Sequence, residues 1–278
     1  MNTERLLVIN AAEGLVQVLC AKRHSAAAPW SLLCFDQTPA ASQGAEILAP
    51  RIQAVLKGLG LAPAQLTHLA AVRGPGSFTG LRLALATVAG LSRATQAVQA
   101  GLDYMPLLAM GAALLPGADS AGASLWPVTH ARRDLVHVQG FSPAAPAHKA
   151  HKPASTPAAI SDILVLSPAQ ALGMIALHAQ KAGQSAFVFG SGLSRNRAFF
   201  EENVGHGVCL LEEAYDTPNA QALLALCDEA AFGRADSLPL YVRPSDAEAN
   251  IEHIAATLRL DPLAARQRLE QLTGKLTV

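Results

Sequence analysis

The alternation of apolar and polar positions predicts a chain in which short strands alternate with helices. A polar break at residues 10–14 separates the apolar runs 6–9 and 15–19, which favours a hairpin. Strand-like runs follow at 31–35, 69–72, 124–128, 135–141, 187–189 and 239–242. Helical spacing of apolar residues appears at 44–59, 81–96, 107–115, 167–181 and 219–234. This order predicts mixed sheets flanked by helices, in two similar α/β units.

Local signals mark several helix ends. Gly58 and Gly60 stand where a left-handed residue closes a helix. Ser167 before Pro168 predicts a capped helix start, and Asp261 before Pro262 predicts another in the C-terminal segment. That segment also contains a predicted helix over 246–258.

Composition limits the kinds of partner. The 278 residues are enough for about two compact units. Lys plus Arg and Asp plus Glu both number 21, so the chain lacks the basic excess typical of a protein that binds nucleic acid alone. Hydrophobic residues make up 51% of the sequence, which favours an apolar surface reserved for a protein partner.

The cysteines and the N-terminus indicate a reducing compartment. Cys20, Cys34, Cys209 and Cys227 show neither zinc spacing nor the density of a disulfide scaffold. The N-terminus has no cationic region before an apolar stretch, and no run of about 18 apolar residues exists. We therefore expect no signal peptide, no membrane contact and a cytoplasmic location.

The most informative segment is the glycine-rich loop at 73–82, which follows a strand and opens a helix. Helix starts of this kind can bind anions, so the loop offers a weak anion site. Its candidate residues are Gly74, Gly76, Ser77, Thr79 and Gly80. A structural turn, with Ser77 or Thr79 as the helix cap, is the alternative.

The run GPGSFTGLR at 74–82, with the small and apolar residues that follow, resembles the signature of the bacterial TsaB (YeaZ) family. Four further segments are similar to that family in the same order. They are 6–12, 128–136, 187–192 and 240–243.

The resemblance implies an actin-like, sugar-kinase or Hsp70-type fold of two lobes. The first lobe would cover 1–104, with 217–278 returning to it, and the second 105–216. The family supports formation of threonylcarbamoyladenosine (t6A) at position 37 of tRNA. Its members are non-catalytic partners of TsaD, which transfers the threonylcarbamoyl group. The ATPase TsaE joins the assembly, and pairing of the chain with itself is implied when TsaD is absent.

Departures from related ATPases point to a chain without its own chemistry. Those ATPases hold Mg²⁺ and phosphate with an aspartate in the first strand-turn, where this chain has Asn10, Ala11 and Ala12. His130 stands where the family usually has an aspartate, and no His-x3-His pair occurs. We expect no catalytic residue, metal site or cofactor here; ATP and Mg²⁺ would be used by partner subunits, and tRNA reached only through the complex.

The expected partner surface is on the helices over 46–59 and 81–96. Its candidate residues are Leu48, Ile52, Leu83, Ala86, Gly90 and Ala94. Small residues let a partner helix approach closely and bury apolar area. The alternative for any single alanine is that it faces the sheet of its own lobe.

A second hypothesis is an enzyme, either a nucleotide-hydrolysing protein of the same superfold or a peptidase. The sequence has no HExxH helix, no GxSxG elbow and no cysteine with an evident histidine partner. The amide at Asn10 also disfavours a kinase, and fold kinship alone establishes no activity.

Overall fold

The structure is a computed structural model that describes residues 3–40, 44–113, 122–142 and 156–242, with 255, 261, 263–264 and 267–268. Its contacts divide the chain into two units, 1–240 and 241–278. Within the described part, each helix is too short or too polar to cross a membrane. Both sheets belong to the larger unit.

The first sheet is mixed. Its strands are β1 (Glu4–Asn10), β2 (Leu15–Arg23), β3 (Ser31–Pro39), β4 (His68–Gly74) and β5 (Val98–Asp103). They lie in the order β3-β2-β1-β4-β5. The predicted hairpin is formed by antiparallel β1 and β2, and β4 lies parallel to β1. Helices α1 (Gly44–Gly58) and α2 (Phe78–Thr95) cover one face.

The second sheet repeats this topology. Its strands are β6 (Ser124–Arg132), β7 (Leu135–Val138), β8 (Leu164–Leu166), β9 (Ala186–Phe189) and β10 (Val208–Leu210). The order β10-β9-β6-β7-β8 matches that of the first sheet, with antiparallel β6–β7–β8 and parallel β9 and β10. The larger unit thus contains two copies of one sheet topology.

The remaining helices are α3 (Tyr104–Ala113), α4 (Pro168–Ala182), α5 (Ser191–Arg195), α6 (Arg197–Asn203) and α7 (Ala220–Glu229). Helix α3 is almost wholly buried and contacts β4, β6 and α7. Tyr104 and Leu107 of α3 are fully buried in a core cluster that includes residues of both sheets. This shared core joins the two sheets through α3.

The structure confirms the predicted helix signals. Gly60 has a φ of 65°, just after the end of α1. Ser167 and Gln170 form a reciprocal capping box at the start of α4. In the C-terminal unit, Asp261 Oδ1 accepts the N–H of Leu263 at 2.9 Å, as a helix cap does.

Two predictions for the chain after residue 219 are wrong. The helix predicted over 219–234 ends at Glu229, because Gly233 pairs with Gln99 at the edge of β5 through two backbone hydrogen bonds. The strand predicted over 239–242 is not formed; Leu240 N–H instead makes a single hydrogen bond to the Arg73 carbonyl. The helix predicted over 246–258 lies outside the described residues, except for helical Ala255. The lobe limits at 104 and 216 stay a prediction.

Candidate functional site between the two sheets

The glycine-rich loop packs against the β1–β2 turn. A Cβ added at Gly76 would lie 2.3 Å from the Ala12 carbonyl oxygen, and one at Gly80 would lie 1.9 Å from that of Ala11. Ser77 N–H donates to the same Ala12 oxygen at 2.5 Å. Only glycine leaves room for this backbone contact, so packing explains both glycines.

The residues of the candidate anion site have structural roles in the loop. Ser77 Oγ accepts the Gly80 N–H at 3.3 Å, which makes Ser77 the cap of α2. Gly74, at φ 124°, lies against the Leu240 carbonyl oxygen, 2.8 Å from where a Cβ would be. Thr79 is exposed in the first turn of α2. Carbonyl oxygens repel an anion, so the loop geometry supports the structural-turn alternative.

The Asn10 amide is held inside the first lobe. Its Nδ2 donates to Gln17 Oε1 at 2.7 Å, and its Oδ1 accepts the Ala12 N–H at 3.0 Å. Gln17 Nε2 donates in turn to Gln37 and to the Pro218 carbonyl. Neutral amides bonded to one another do not suit Mg²⁺, which prefers free carboxylate oxygens. Among the described residues, no group of three His, Cys, Asp or Glu side chains is arranged to hold a metal ion.

The second sheet carries an equivalent contact. Gly190, with φ 109°, and Gly192 flank Ser191 where β9 leads into α5. A Cβ at Gly190 would lie 2.5 Å from the Val128 oxygen of β6. His130 follows on β6 and donates its backbone N–H to Ser191 Oγ at 3.0 Å. The first glycine segment thus contacts the turn after the first strand of its sheet, and the second contacts the first strand of its sheet itself.

A polar cluster that the sequence did not reveal connects the two sheets. Glu13, in the β1–β2 turn, accepts the Ser191 hydroxyl at 2.6 Å and the Tyr104 hydroxyl at 3.3 Å. Tyr104 also lies 3.4 Å from the carbonyl of Asp216, whose carboxylate accepts from Ser194 at 2.9 Å. The protein's own Glu13 carboxyl therefore occupies the space between the first turn and Ser191.

Burial controls the protonation of this cluster. It raises the pKa of Glu13 from 4.5 to about 7, although hydrogen bonds from Ser191 and Tyr104 act in the opposite direction. Burial likewise raises the pKa of Asp216, and it raises the pKa of Tyr104 well above 10. Near neutral pH, Glu13 is therefore divided between its neutral and ionised forms.

Glu13→Gln is expected to change how stability depends on pH. The folded wild-type chain keeps a proton on Glu13 between pH 4.5 and 7 that the unfolded chain releases, so its unfolding free energy falls as pH rises through this window. Glutamine resembles the protonated acid but does not titrate, so the variant lacks the fall in unfolding free energy that Glu13 causes. Urea unfolding of both chains at several values from about pH 5 to about pH 7.5 measures the difference. Parallel pH profiles for the two chains would contradict the assignment.

The structure divides the six partner-surface candidates into two groups. Leu48 and Ile52 of α1 are 1% and 7% exposed and pack into the core with the first sheet. Predicting them as surface residues was wrong, because large apolar side chains at helical spacing mark the face turned to the core. Ala86, Gly90 and Ala94 of α2 are exposed, and Leu83 is half-buried. These four residues recur every three or four positions, so they lie along one side of α2, which we call the α2 face.

The topology and the solved structures define the class of protein. Two sheets of identical strand order, each with a glycine segment against its first strand or the turn that follows, form an actin-like two-lobe fold. A structure described as an uncharacterized protein with similarity to the peptidase YEAZ, from Pseudomonas aeruginosa, matches with a TM-score of 0.64 and 23% identity. YeaZ from Pseudomonas aeruginosa matches with a TM-score of 0.60 and 20% identity. Each comparison covers 86% of this chain and 100% of the other.

The sequence itself shows the family. Residues 38–238 match the family described as TsaD: tRNA N6-adenosine threonylcarbamoyltransferase. The match spans more than half of the chain, and the chain belongs to this family. The resemblance to TsaB (YeaZ) is confirmed by the solved structures that share its fold. A search of curated proteins finds no match.

Proposed function

We propose that this chain is the non-catalytic scaffold subunit of a t6A-forming complex, in which it binds and supports TsaD. TsaD transfers the threonylcarbamoyl group to adenosine 37 of tRNA, and TsaE supplies ATPase activity in the same assembly. The chain acts in the cytoplasm and meets tRNA only through the complex. ATP and Mg²⁺ act on the partner subunits.

The observation that carries the proposal is the arrangement of the β1–β2 turn. The Asn10 amide uses both of its polar ends within the lobe, and Glu13 fills the space toward the second sheet. The Ala11 and Ala12 carbonyls are covered by Gly80 and Gly76. A turn so occupied offers no free carboxylate for a metal-bound phosphate, which favours a role as a binding partner.

The α2 face supplies a surface for that partner. A Cβ at Gly90 would meet no described atom within 4 Å, so another helix can approach this point closely. The opposite side of α2, with Leu81, Ala84 and Val88, is buried and fixes the helix to the first sheet. Phe78, 45% exposed at the start of the helix, carries the Arg82 guanidinium over its ring, 3.8 Å from the ring centroid. A rigid helix with small exposed side chains suits close packing against a second helix.

Co-purification tests the binding role. The chain carries an affinity tag and is expressed with untagged TsaD and TsaE from the same source. We expect TsaD to be retained by the tagged chain in a fixed ratio through gel filtration. Failure of TsaD to elute with the chain would contradict the proposal.

The isolated chain provides the control for the enzyme hypothesis. Its ATP turnover is measured with and without Mg²⁺, and we expect no rate above that of buffer. Rapid hydrolysis that disappears on altering the loop at 74–80 would replace the scaffold role with a catalytic one.

A further inference from the structure

Two of the four cysteines face each other across a strand pair. In the antiparallel ladder of β2 and β3, Cys20 lies directly opposite Cys34. Opposite residues of an antiparallel pair point to the same face, with Cα atoms about 4.5 or 5.5 Å apart. Cys20 is part of the core cluster between the first sheet and its helices, and Cys34 packs against the same cluster. Both separations lie within the range that a disulfide spans.

The two thiols differ in their access to solvent. Cys20 is 1% exposed, and burial raises the pKa of its thiol to about 12, with a further contribution from Cys34. Cys34 is half-buried on the edge strand β3. A reagent from solvent therefore meets Cys34 first, and Cys20 is placed behind it as the second thiol.

The remaining cysteines lack this arrangement. Cys209 is exposed on β10, where its partner in register is Phe187. Cys227 is buried in α7, and burial raises the pKa of its thiol. Neither lies opposite another cysteine in a described strand pair.

We propose that Cys20 and Cys34 form a reversible disulfide when the chain meets a hydroperoxide, so that this pair is an oxidative modification site. The Cys34 thiolate attacks the peroxide; an S–O bond forms, the O–O bond breaks, and the leaving alkoxide or hydroxide takes a proton. The Cys20 sulfur then attacks Cys34; the S–S bond forms, the S–O bond breaks, and the departing hydroxide takes the Cys20 proton to form water. Two thiols are oxidised by two electrons, and one peroxide is reduced.

The bond would join β2 to β3 beside a bulge. The register of this strand pair shifts between Cys20 and Ala21, directly next to the pair. Helix α1 packs on β2 on this side of the sheet. Cross-linking closes the chain between the two strands and restricts the unfolded state, so the oxidised chain is expected to unfold at a higher temperature.

Peptide mapping tests the proposal in the full chain carrying Cys209→Ser, which removes the exposed thiol. After treatment with hydrogen peroxide, we expect loss of two of the three remaining thiols, a Cys20–Cys34 linked peptide, and full recovery of both thiols with dithiothreitol. The same treatment of the Cys34→Ser, Cys209→Ser chain is expected to give no linked peptide. Far-UV circular dichroism checks that each variant is folded.

A reagent that traps sulfenic acids shows whether oxidation of Cys34 stops at the sulfenic acid or continues to the disulfide. In the Cys20→Ser, Cys209→Ser chain, dimedone is expected to label Cys34 as a sulfenic acid, and this label is expected to be lost when Cys20 is present. Equal labelling of Cys34 with and without Cys20, or a Cys20 that stays free after oxidation of the folded Cys209→Ser chain, would overturn the proposal. The Cys209→Ser chain decides the question by itself if the buried Cys20→Ser variant fails to fold.

Discussion

Gly80→Ala destabilises the folded chain by about 3 kcal/mol or more, because the added methyl group cannot be accommodated. A Cβ at this position would lie 1.9 Å from the Ala11 carbonyl oxygen, which is part of the backbone of the β1–β2 turn. Relief of the clash requires α2 and the β1–β2 turn to move apart, and that movement would also break the hydrogen bond from Ser77 N–H to the Ala12 carbonyl. Urea unfolding followed by circular dichroism measures the loss.

Gly90→Ala is the matched control for this prediction. Gly90 lies in the same helix, with no described atom within 4 Å of an added Cβ. Alanine is the better helix former, so this change is expected to stabilise the chain by about 0.5–1 kcal/mol. If Gly80→Ala lowers the free energy of unfolding and Gly90→Ala raises it, the loss at Gly80 comes from the backbone contact and not from helix propensity. A Gly80→Ala chain as stable as the wild type would show that the loop does not pack on the turn as described.

Much of the fold could be predicted from sequence because its long elements carry a clear period. The helices α1, α2 and α4 have several turns, and their apolar residues recur at helical spacing. The strands β8 and β10 have only three residues each, too few to show alternation. The segment after α7 was predicted as helix because its local pattern continues, whereas the edge of β5 determines its extended conformation.

The candidate site was predictable only where the residue type itself carries the signal. Asn10 can be recognised in the sequence because an amide stands where related ATPases have a carboxylate. The glycines at 74–80 can be recognised as a glycine-rich turn. Glu13 is different, since its partners Tyr104 and Ser191 lie 91 and 178 residues further along the chain. No local pattern relates residues so far apart. The cluster depends on the packing of the two sheets around α3, and its raised Glu13 pKa follows from that burial.

The side of a helix that meets a partner is also difficult to predict from sequence. Leu48 and Ile52 were selected for their apolar character, and the same character places them in the core. Ala86, Gly90 and Ala94 of the α2 face are exposed and leave the helix backbone close to the surface, whereas Ala84, equally small, is buried on the opposite side of the same helix. Side-chain size alone therefore does not locate the exposed side of α2, whereas the large apolar side chains of α1 lie in the core.

The proposed scaffold role predicts that Gly90→Arg abolishes support of TsaD. The long charged side chain would project from the α2 face and keep a partner helix at a distance. If the two helices still packed together, the arginine charge would be buried without a partner, which is energetically unfavourable. Gly173→Arg is the matched control, since Gly173 is also an exposed helical glycine with no described atom within 4 Å of its added Cβ, but it lies in α4 of the second sheet. Thermal unfolding of both variants confirms that they are folded.

The most direct measurement is t6A in tRNA, formed by an extract of the source organism depleted of this chain and then supplemented with each variant. The wild-type chain, Gly173→Arg and Ser77→Ala are expected to restore the modification, whereas Gly90→Arg is expected to leave it at the depleted level. Full restoration by Gly90→Arg, or loss of t6A with Ser77→Ala comparable to depletion, would contradict a subunit that contributes a surface and no catalytic group.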